Sequence, residues 1–343
     1  MVKRERSLMN KAEQGEKPVH NRLSATLFYG LNVLLFPVTL LGYLLWVGKL
    51  MGSGRHSGVS GTAQGPLSAR AFMHRLGTRP DEAANRLLLV VPNLSPVAIW
   101  LSVWPLLLAH RVTGYVPTAF RYPFEGEIPK QYESSARQTF FDAVVERDLA
   151  DRPQLVILGA GFDTRAWRLP KTTQVRAFEV DTPQTQAIKR AMVQQAGLDG
   201  TGITFVAADF AQEDWFSQLV AAGFDRQRPA LFLWEGVLMY LDQEAVSATL
   251  RKLAACAPGS MIAFDYFTTE ALESTALYWR YARYATKKAG EPLTFGIDST
   301  PPSRERLADF LHTCGLELIE QQTLGQESNG QRAWGGFATA MVR

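Results

Sequence analysis

The sequence predicts an α/β protein built on a doubly wound sheet, preceded by a largely helical N-terminal region. Three observations carry this. The run Leu155-Val156-Ile157-Leu158 passes directly into Gly159-Ala160-Gly161, as a buried parallel strand passes into a tight turn. A second strand pattern, Val175 to Val180, ends in Asp181, twenty residues after Gly161. From residue 151 onward strand and helix patterns alternate, which implies a parallel sheet with helices on both faces. Glycine turn, second strand and terminal carboxylate together describe a nucleotide site at the C-terminal ends of the strands. The glycines let the backbone approach a ligand because no Cβ intervenes, and the carboxylate would accept hydrogen bonds from a ribose diol.

Two cofactors fit those residues. A nicotinamide dinucleotide wants Gly-x-Gly-x-x-Gly. Here the third position is Thr164, preceded by Asp163, and a carboxylate there would repel a pyrophosphate. S-adenosylmethionine has no phosphates and carries a sulfonium and an ammonium, so acids near the turn suit it. The downstream Asp181 and the missing third glycine favour the methyl donor. A dinucleotide oxidoreductase remains the alternative, and a strand–helix turn without ligand is the plain reading of an isolated Gly-x-Gly.

Composition narrows the classes. Of 343 residues 46% are apolar and 20% charged, which is ordinary for a globular protein with a full core. The net charge of +3, with no basic stripe interleaved with aromatics, argues against a nucleic-acid partner. Cys256 and Cys314 match no metal or redox spacing and read as buried free thiols in a reducing compartment. His20, His56, His74, His110 and His312 are scattered, so no metal site is expected.

Residues 1–26 are polar and mixed in charge, without the pattern of a secretory signal. Residues 27–48 contain no charge. As one helix they would run roughly 33 Å, enough to cross a bilayer, with Tyr29, Tyr43 and Trp46 near the interfaces and a kink at Pro37. They are expected to form a transmembrane or membrane-anchor helix; the competing reading is a buried or self-associating hairpin of a soluble domain. Residues 52–65 read as a Gly/Ser linker or lid, and 66–76 as a helix with Pro66 in its first turn. Residues 87–109 are free of charge but contain Pro92, Pro96 and Pro105. They are expected to form two short apolar helices capping a substrate pocket, with a re-entrant membrane segment as the other reading. An amphipathic helix is expected over 131–150. Expected strands are 155–159, 175–180, 203–208, 230–235 and 260–266, closed by an edge hairpin of 316–323 and 334–342. Expected helices are 183–196, 243–256, 270–288 and 304–313. The domains follow: 1–57 for the polar N-terminus, anchor and linker, 58–150 for a helical cap, and 151–343 for the nucleotide-binding domain.

Two further strand ends carry candidate chemistry. The third ends in Ala208-Asp209-Phe210: the carboxylate can take an adenine amino group while the ring packs on the base. A helix N-cap is the competing role for Asp209. The fourth ends in Trp234-Glu235-Gly236; a buried acid there needs a partner, and a cationic ligand would supply one.

Leu158-Gly159-Ala160-Gly161-Phe162-Asp163-Thr164-Arg165, Glu179-Val180-Asp181-Thr182-Pro183 with Lys189-Arg190, and Glu235-Gly236-Val237-Leu238-Met239-Tyr240-Leu241 together resemble the leucine carboxyl methyltransferase family, over roughly residues 58–343. The resemblance implies a class I methyltransferase fold with an N-terminal helical cap, and S-adenosylmethionine as cofactor. By position it gives Gly159 and Gly161 the cofactor turn, Asp181 the ribose, Asp209 and Phe210 the adenine (the family usually has Leu where Phe210 stands), and Glu235 the methionine amino group. It gives Arg137 the methionine carboxylate. Arg70 falls where some members carry a lysine facing that carboxylate, a departure in residue type. Arg137 has a plainer reading as a surface salt bridge, and Asp163 and Arg165 as residues that only fix the turn.

The activity implied is O-methylation of a small molecule, a carboxylate or a hydroxyl. An anionic acceptor needs mainly alignment with the methyl and exclusion of water. A hydroxyl needs a base, for which Tyr240 and His110 are the nearest candidates. A membrane-attached binding protein without catalysis is the remaining alternative. Because the donor is made in the cytosol, residues 58–343 are expected there; that leaves an outside N-terminus, a re-entrant or in-plane anchor, or a hairpin in which 87–109 returns the chain, and attachment by 27–48 alone is expected.

Overall fold

The computed structural model describes residues 22–52, 61–126, 133–170, 174–210, 214–288, 290–325 and 332–343. The chain divides into two units, residues 55–92 with 121–343, and residues 1–54 with 93–120.

The larger unit is built on a seven-stranded sheet. Strand β1 (Gln154–Leu158) pairs in parallel with β2 (Arg176–Asp181) and β4 (Ala230–Trp234). Strand β3 (Ile203–Ala207) extends the sheet beyond β2, and β5 (Met261–Phe267) beyond β4, both parallel. Strand β7 (Gly335–Met341) runs antiparallel to β5, and β6 (Glu317–Leu324) forms the edge beside it. The order β3-β2-β1-β4-β5-β7-β6, with β7 reversed, is that of the class I methyltransferase fold.

β1 and β4 are buried along their whole length, which is why both read as unbroken apolar runs rather than alternating ones. One sheet face packs Val156, Phe178 and Phe232 against Leu219 and Leu250; the other packs Leu155, Leu231 and Ala263 against Phe141 and Val144. The predicted strands match to within a residue or two at each end. Cys256 and Cys314 are buried free thiols.

The helices of this unit, numbered in chain order over the whole protein, are α3 (Gly61–Arg75), α4 (Glu82–Leu89), α6 (Glu133–Asp148), α7 (Pro183–Gln195), α8 (Trp215–Ala221), α9 (Gln243–Ala254), α10 (Thr269–Glu273), α11 (Leu277–Lys288) and α12 (Ser303–Thr313). Three expectations need correction. The helix expected over 270–288 is broken into α10 and α11, because Ser274 takes an extended conformation. α8 has too few residues to show a period and was not foreseen. α3 begins at Gly61, so Pro66 lies inside it and the linker does not reach residue 65; residues 53–60 lie outside the described residues.

The smaller unit contains α1 (Arg22–Leu34), α2 (Phe36–Gly52), α5 (Pro96–Thr113) and a 3-10 turn at Thr118–Phe120. The single helix expected over 27–48 is instead two, bent by 57° at the break between them. Pro37, without an N–H and with its ring against the preceding turn, accounts for the break. Residues 87–109 do not form two short capping helices. Residues 87–89 finish α4, and α5 is one continuous helix. Ser95 caps it by accepting the Ala98 N–H, Pro96 occupies its first turn, and Pro105 is carried within it.

α1 and α2 lie along α5. A Cβ on Gly42 would stand 2.5 Å from the Ser102 Oγ, so glycine sets how closely α2 approaches. Lys49 of α2 donates to the Leu94 carbonyl just before α5. At the other end of α5, Phe28, Ala109 and Tyr115 form a small core.

Candidate active site

The site begins where β1 stops. Gly159 and Gly161 both have positive φ, 62° and 45°, a backbone that favours glycine. Space adds to this at Gly159, where a Cβ would meet the Val237 Cγ2 at 2.3 Å. The turn is locked to the end of β2. Asp181 accepts the Gly161 N–H through Oδ2 at 2.6 Å and the Thr182 N–H through Oδ1 at 2.7 Å. Burial pushes the Asp181 carboxyl up, and these two N–H groups pull the other way.

Around the turn is a cavity of about 510 Å³, lined from α3, α6, the strand ends of the sheet and Glu291. Nine predicted site residues line it: Arg70, Arg137, Gly159, Gly161, Asp181, Asp209, Phe210, Glu235 and Tyr240. His110 does not. It sits in the last turn of α5, in the smaller unit, with its Nδ1 3.1 Å from the Tyr115 carbonyl oxygen. The lining contains six carboxylates (Glu133, Asp163, Asp181, Asp209, Glu235 and Glu291) and two guanidiniums, Arg70 and Arg137. Asp209 is not the cap of the following helix; α8 is capped by Asp214. The Phe210 ring packs on Trp215 with centroids 5.3 Å apart.

Next to the cavity lies a buried ion-pair network. Arg165 donates to Asp142 Oδ1 at 2.8 Å, Asp163 Oδ2 at 2.5 Å, Gln138 Oε1 at 3.0 Å, and Glu235. Arg70 donates to Gln138 Oε1 at 2.7 Å, Asp163 Oδ2 at 2.9 Å and Glu235 at 3.1 Å. Arg79 holds Asp142 at 2.7 Å and Asp81 at 2.5 Å. Asp81 in turn accepts the Thr164 hydroxyl at 2.7 Å and caps α4. Burial disfavours the charged form of each carboxylate. It is outweighed at Asp163 and Glu235 by Arg165 and Arg70, and at Asp142 by Arg165 and Arg79, so all three are held below the usual carboxylate range. Arg165 therefore does more than fix the turn. Two of its partners, Gln138 and Asp142, lie four apart on one helix, which puts them on one face but does not name Arg165 as their partner.

A second cluster surrounds Arg137. Its Nη2 pairs with Glu133 and, at 2.8 Å, with Asp265 Oδ2; Asp265 Oδ1 accepts the Gly236 N–H at 2.6 Å. The salt bridge read for Arg137 is thus present, but part-buried rather than on the open surface. Among the described residues its Nε is buried without an acceptor, and the bonds of Arg70 run through Nε and Nη2, leaving its Nη1 without an acceptor among them. Two guanidiniums therefore keep donors in reserve at this cavity. Glu133, Asp265, Thr62 and Glu291 were not foreseen; the Thr62 hydroxyl donates to Glu291 Oε2 at 2.7 Å. Burial pushes the Tyr240 phenol far above its ordinary value, so it remains protonated at neutral pH and is a donor rather than a base.

Comparison with known proteins bears out the resemblance over part of the chain. Residues 127–254 match the family model for leucine carboxyl methyltransferase. A Mycolicibacterium vanbaalenii protein, provisionally described as an S-adenosyl-L-methionine-dependent methyltransferase, is 37% identical over 137 residues, 40% of this chain and 43% of that one. A Mycobacterium avium protein with the same provisional description is 33% identical over 192 residues, 54% of this chain and 61% of that one. The chain thus spans about half the length of the curated relatives it matches. Among solved structures, a DUF574 family protein from Streptomyces avermitilis is 15% identical with a TM-score of 0.47, covering 80% of this chain and 97% of that one.

Proposed function

We propose that the cavity binds S-adenosylmethionine and that the protein transfers the donor's methyl group to a small-molecule hydroxyl. The observation that carries this reading is the lining of six carboxylates and two guanidiniums around a positive-φ glycine turn. A pyrophosphate at the turn would face Asp181, which has no guanidinium partner among the described residues; a ligand bearing sulfonium and ammonium charges is attracted by the same group. This tells against a nicotinamide dinucleotide.

The residues fit the donor piece by piece. Each oxygen of Asp181 accepts one backbone N–H and retains acceptor capacity for the ribose hydroxyls. Asp209 and Phe210 take the adenine. Glu235 faces the amino group. The unused Nε of Arg137 and Nη1 of Arg70 supply donors for the methionine carboxylate. Bound there, the donor supplies a methyl group on a positively charged sulfur. The chain's part is to hold the acceptor oxygen in line and keep water out. Thr62, Arg70, Glu133 and Arg137 all line the cavity, which supports a cap role for those parts of residues 58–150.

The excess of carboxylates disfavours a second anion in the cavity, so a hydroxyl acceptor is favoured over a carboxylate. A hydroxyl needs a base, and Glu291, which lines the cavity, is the group proposed for it. The catalytic unit lies in the cytosol, where the donor is made. Calorimetric titration with S-adenosylmethionine and with NAD tests the cofactor, and preferential NAD binding would overturn it. Turnover of labelled donor against separate pools of hydroxyl-bearing and carboxylate-bearing small molecules tests the acceptor. Label is expected in the hydroxyl pool, and label in the carboxylate pool alone would refute that choice.

A further inference from the structure

The helical unit of α1, α2 and α5 is unusual in what it shows to solvent. Leu27, Val33, Leu41, Leu44, Val97 and Trp100 are each more than half exposed, between 52% and 74%. Residues 22–54 and 93–120 contain Arg22, Lys49 and Arg111 but no aspartate or glutamate. An apolar surface of this extent, on helices whose own charged residues are all positive, is complementary to anionic lipid. A second copy would bring the same cations against these and so be repelled.

Connectivity decides how such a surface meets a membrane. α5 has 18 residues, about 27 Å of helix against roughly 30 Å of hydrocarbon. The chain enters it from residues 55–92 and leaves it into residues 121–343, both parts of the larger unit. Arg79 and Tyr122 are held by the same carboxylate, Asp142, on either side of this excursion. If α5 crossed the bilayer, residues 114–120 would have to bring the chain back. Fully extended they span only about 25 Å, and they are not extended: Gly114 donates to the His110 carbonyl, Tyr115 packs on Phe28, and Thr118–Phe120 is a 3-10 turn. A lone strand in hydrocarbon would also leave its backbone groups unbonded. α1 and α2 run antiparallel along α5, with Lys49 at its start and Phe28 at its end, so they are bound by the same limit.

We infer that α1, α2 and α5 together lie in the plane of an anionic bilayer leaflet, their apolar side chains inserted at the headgroup–acyl boundary, and that no part of this unit spans the membrane. This replaces a crossing helix over 27–48 by an in-plane wedge made from two separate stretches of chain. It stands independently of the methyl-transfer reading.

Full-length protein is mixed with vesicles of phosphatidylcholine, or of phosphatidylcholine with equimolar phosphatidylglycerol, and floated on a density gradient. Flotation with the anionic vesicles only is expected. Leu41→Glu with Leu44→Glu, at exposed positions, is expected to lower it by at least about tenfold with an unchanged circular dichroism spectrum. Topology is read from single labels at Val97→Cys and Val112→Cys, near opposite ends of α5, with an impermeant quencher outside the vesicles. Equal quenching of the two labels is expected, since both ends of α5 lie at the same depth in the outer leaflet. Protection of the Val112 label alone would mean that α5 crosses and would overturn the inference. So would unimpaired flotation of the double variant, or a protein that ignores both vesicles and sediments as a dimer.

Discussion

Arg70 and Glu235 meet through two contacts of 3.1 Å from one guanidinium nitrogen, although 165 residues separate them in the chain. Arg70 comes from α3, ahead of the sheet; Glu235 stands just past the end of β4. Their contact fastens the N-terminal helices of the larger unit to the strand ends that form the cavity. The pair is not self-sufficient, since Asp163 and Gln138 share Arg70, and Arg165 shares Glu235. Removing one member leaves a buried charge without its counter-charge, a costly change.

Among the arginines of the network, Arg165 has the most partners. Arg165→Leu should therefore cost on the order of 3–5 kcal/mol of folding stability, read as a lower urea midpoint. Arg165→Lys should recover little, because one ammonium cannot reproduce the planar fork that reaches Asp142, Asp163, Glu235 and Gln138 together. A lysine variant as stable as the wild type would show that charge alone, not the geometry of the fork, holds the network.

Arg137→Ala is expected to weaken donor binding by roughly 1.5–3 kcal/mol, the worth of a charged hydrogen bond. It should also lower the melting temperature, since Glu133 and Asp265 lose their cation. A donor analogue without the methionine carboxylate separates the two effects. Wild type and variant should bind the analogue equally well if Arg137 Nε serves that carboxylate. An equal loss with both ligands would place the effect in the fold instead.

These two arginines also mark what the sequence could and could not convey. The sheet was legible because β1 and β4 are buried on both faces and their residues are apolar without interruption. Asp181 was legible because it ends a strand at a fixed distance from the glycine turn. The network of Arg165 was not, because periodicity tells which face a residue occupies and not which distant charges converge on it. The prolines near residue 100 misled for a related reason. Pro96 falls in the first turn of α5, where its missing N–H costs nothing, and the three prolines in sequence gave no sign of that. His110, named with Tyr240 as a candidate base, instead closes the end of that helix, its carbonyl accepting the Gly114 N–H.

Asp181 does two jobs in this arrangement, so its substitutions should separate. Asp181→Ala removes both backbone bonds to Gly161 and Thr182 and should lower stability as well as donor affinity, the latter by roughly 1.5–3 kcal/mol. Asp181→Asn keeps one carbonyl oxygen for the turn but places an amide nitrogen opposite an N–H. It should retain more stability than the alanine variant while still losing affinity for the ribose. Calorimetry and thermal denaturation on the two variants check this; wild-type affinity in the alanine variant would remove Asp181 from the site.

The last expectation concerns pH. Glu179 and Lys189 form a fully buried pair, Nζ to Oε2 at 2.6 Å, and Lys189 also donates to the Asp163 carbonyl at 2.8 Å. Burial pushes the Glu179 carboxyl up to about 7 from an unfolded value of 4.5, and the attraction of Lys189 offsets this only in part. The folded protein therefore holds a proton on Glu179 through a range in which the unfolded chain has released it. The sign follows from linkage: this contribution to stability is complete below pH 4.5 and is lost as pH rises through about 7. The whole change is on the order of 3 kcal/mol. Asp181, Asp265 and Glu133, also raised by burial, act in the same direction, so the wild-type curve alone cannot isolate Glu179. Glu179→Gln can. The amide does not titrate, and the stability difference between variant and wild type should shift in the variant's favour as pH rises across this window. A difference that stays constant from pH 4.5 to 7 would mean that Lys189 keeps Glu179 ionised throughout, and that the pair is a true buried salt bridge.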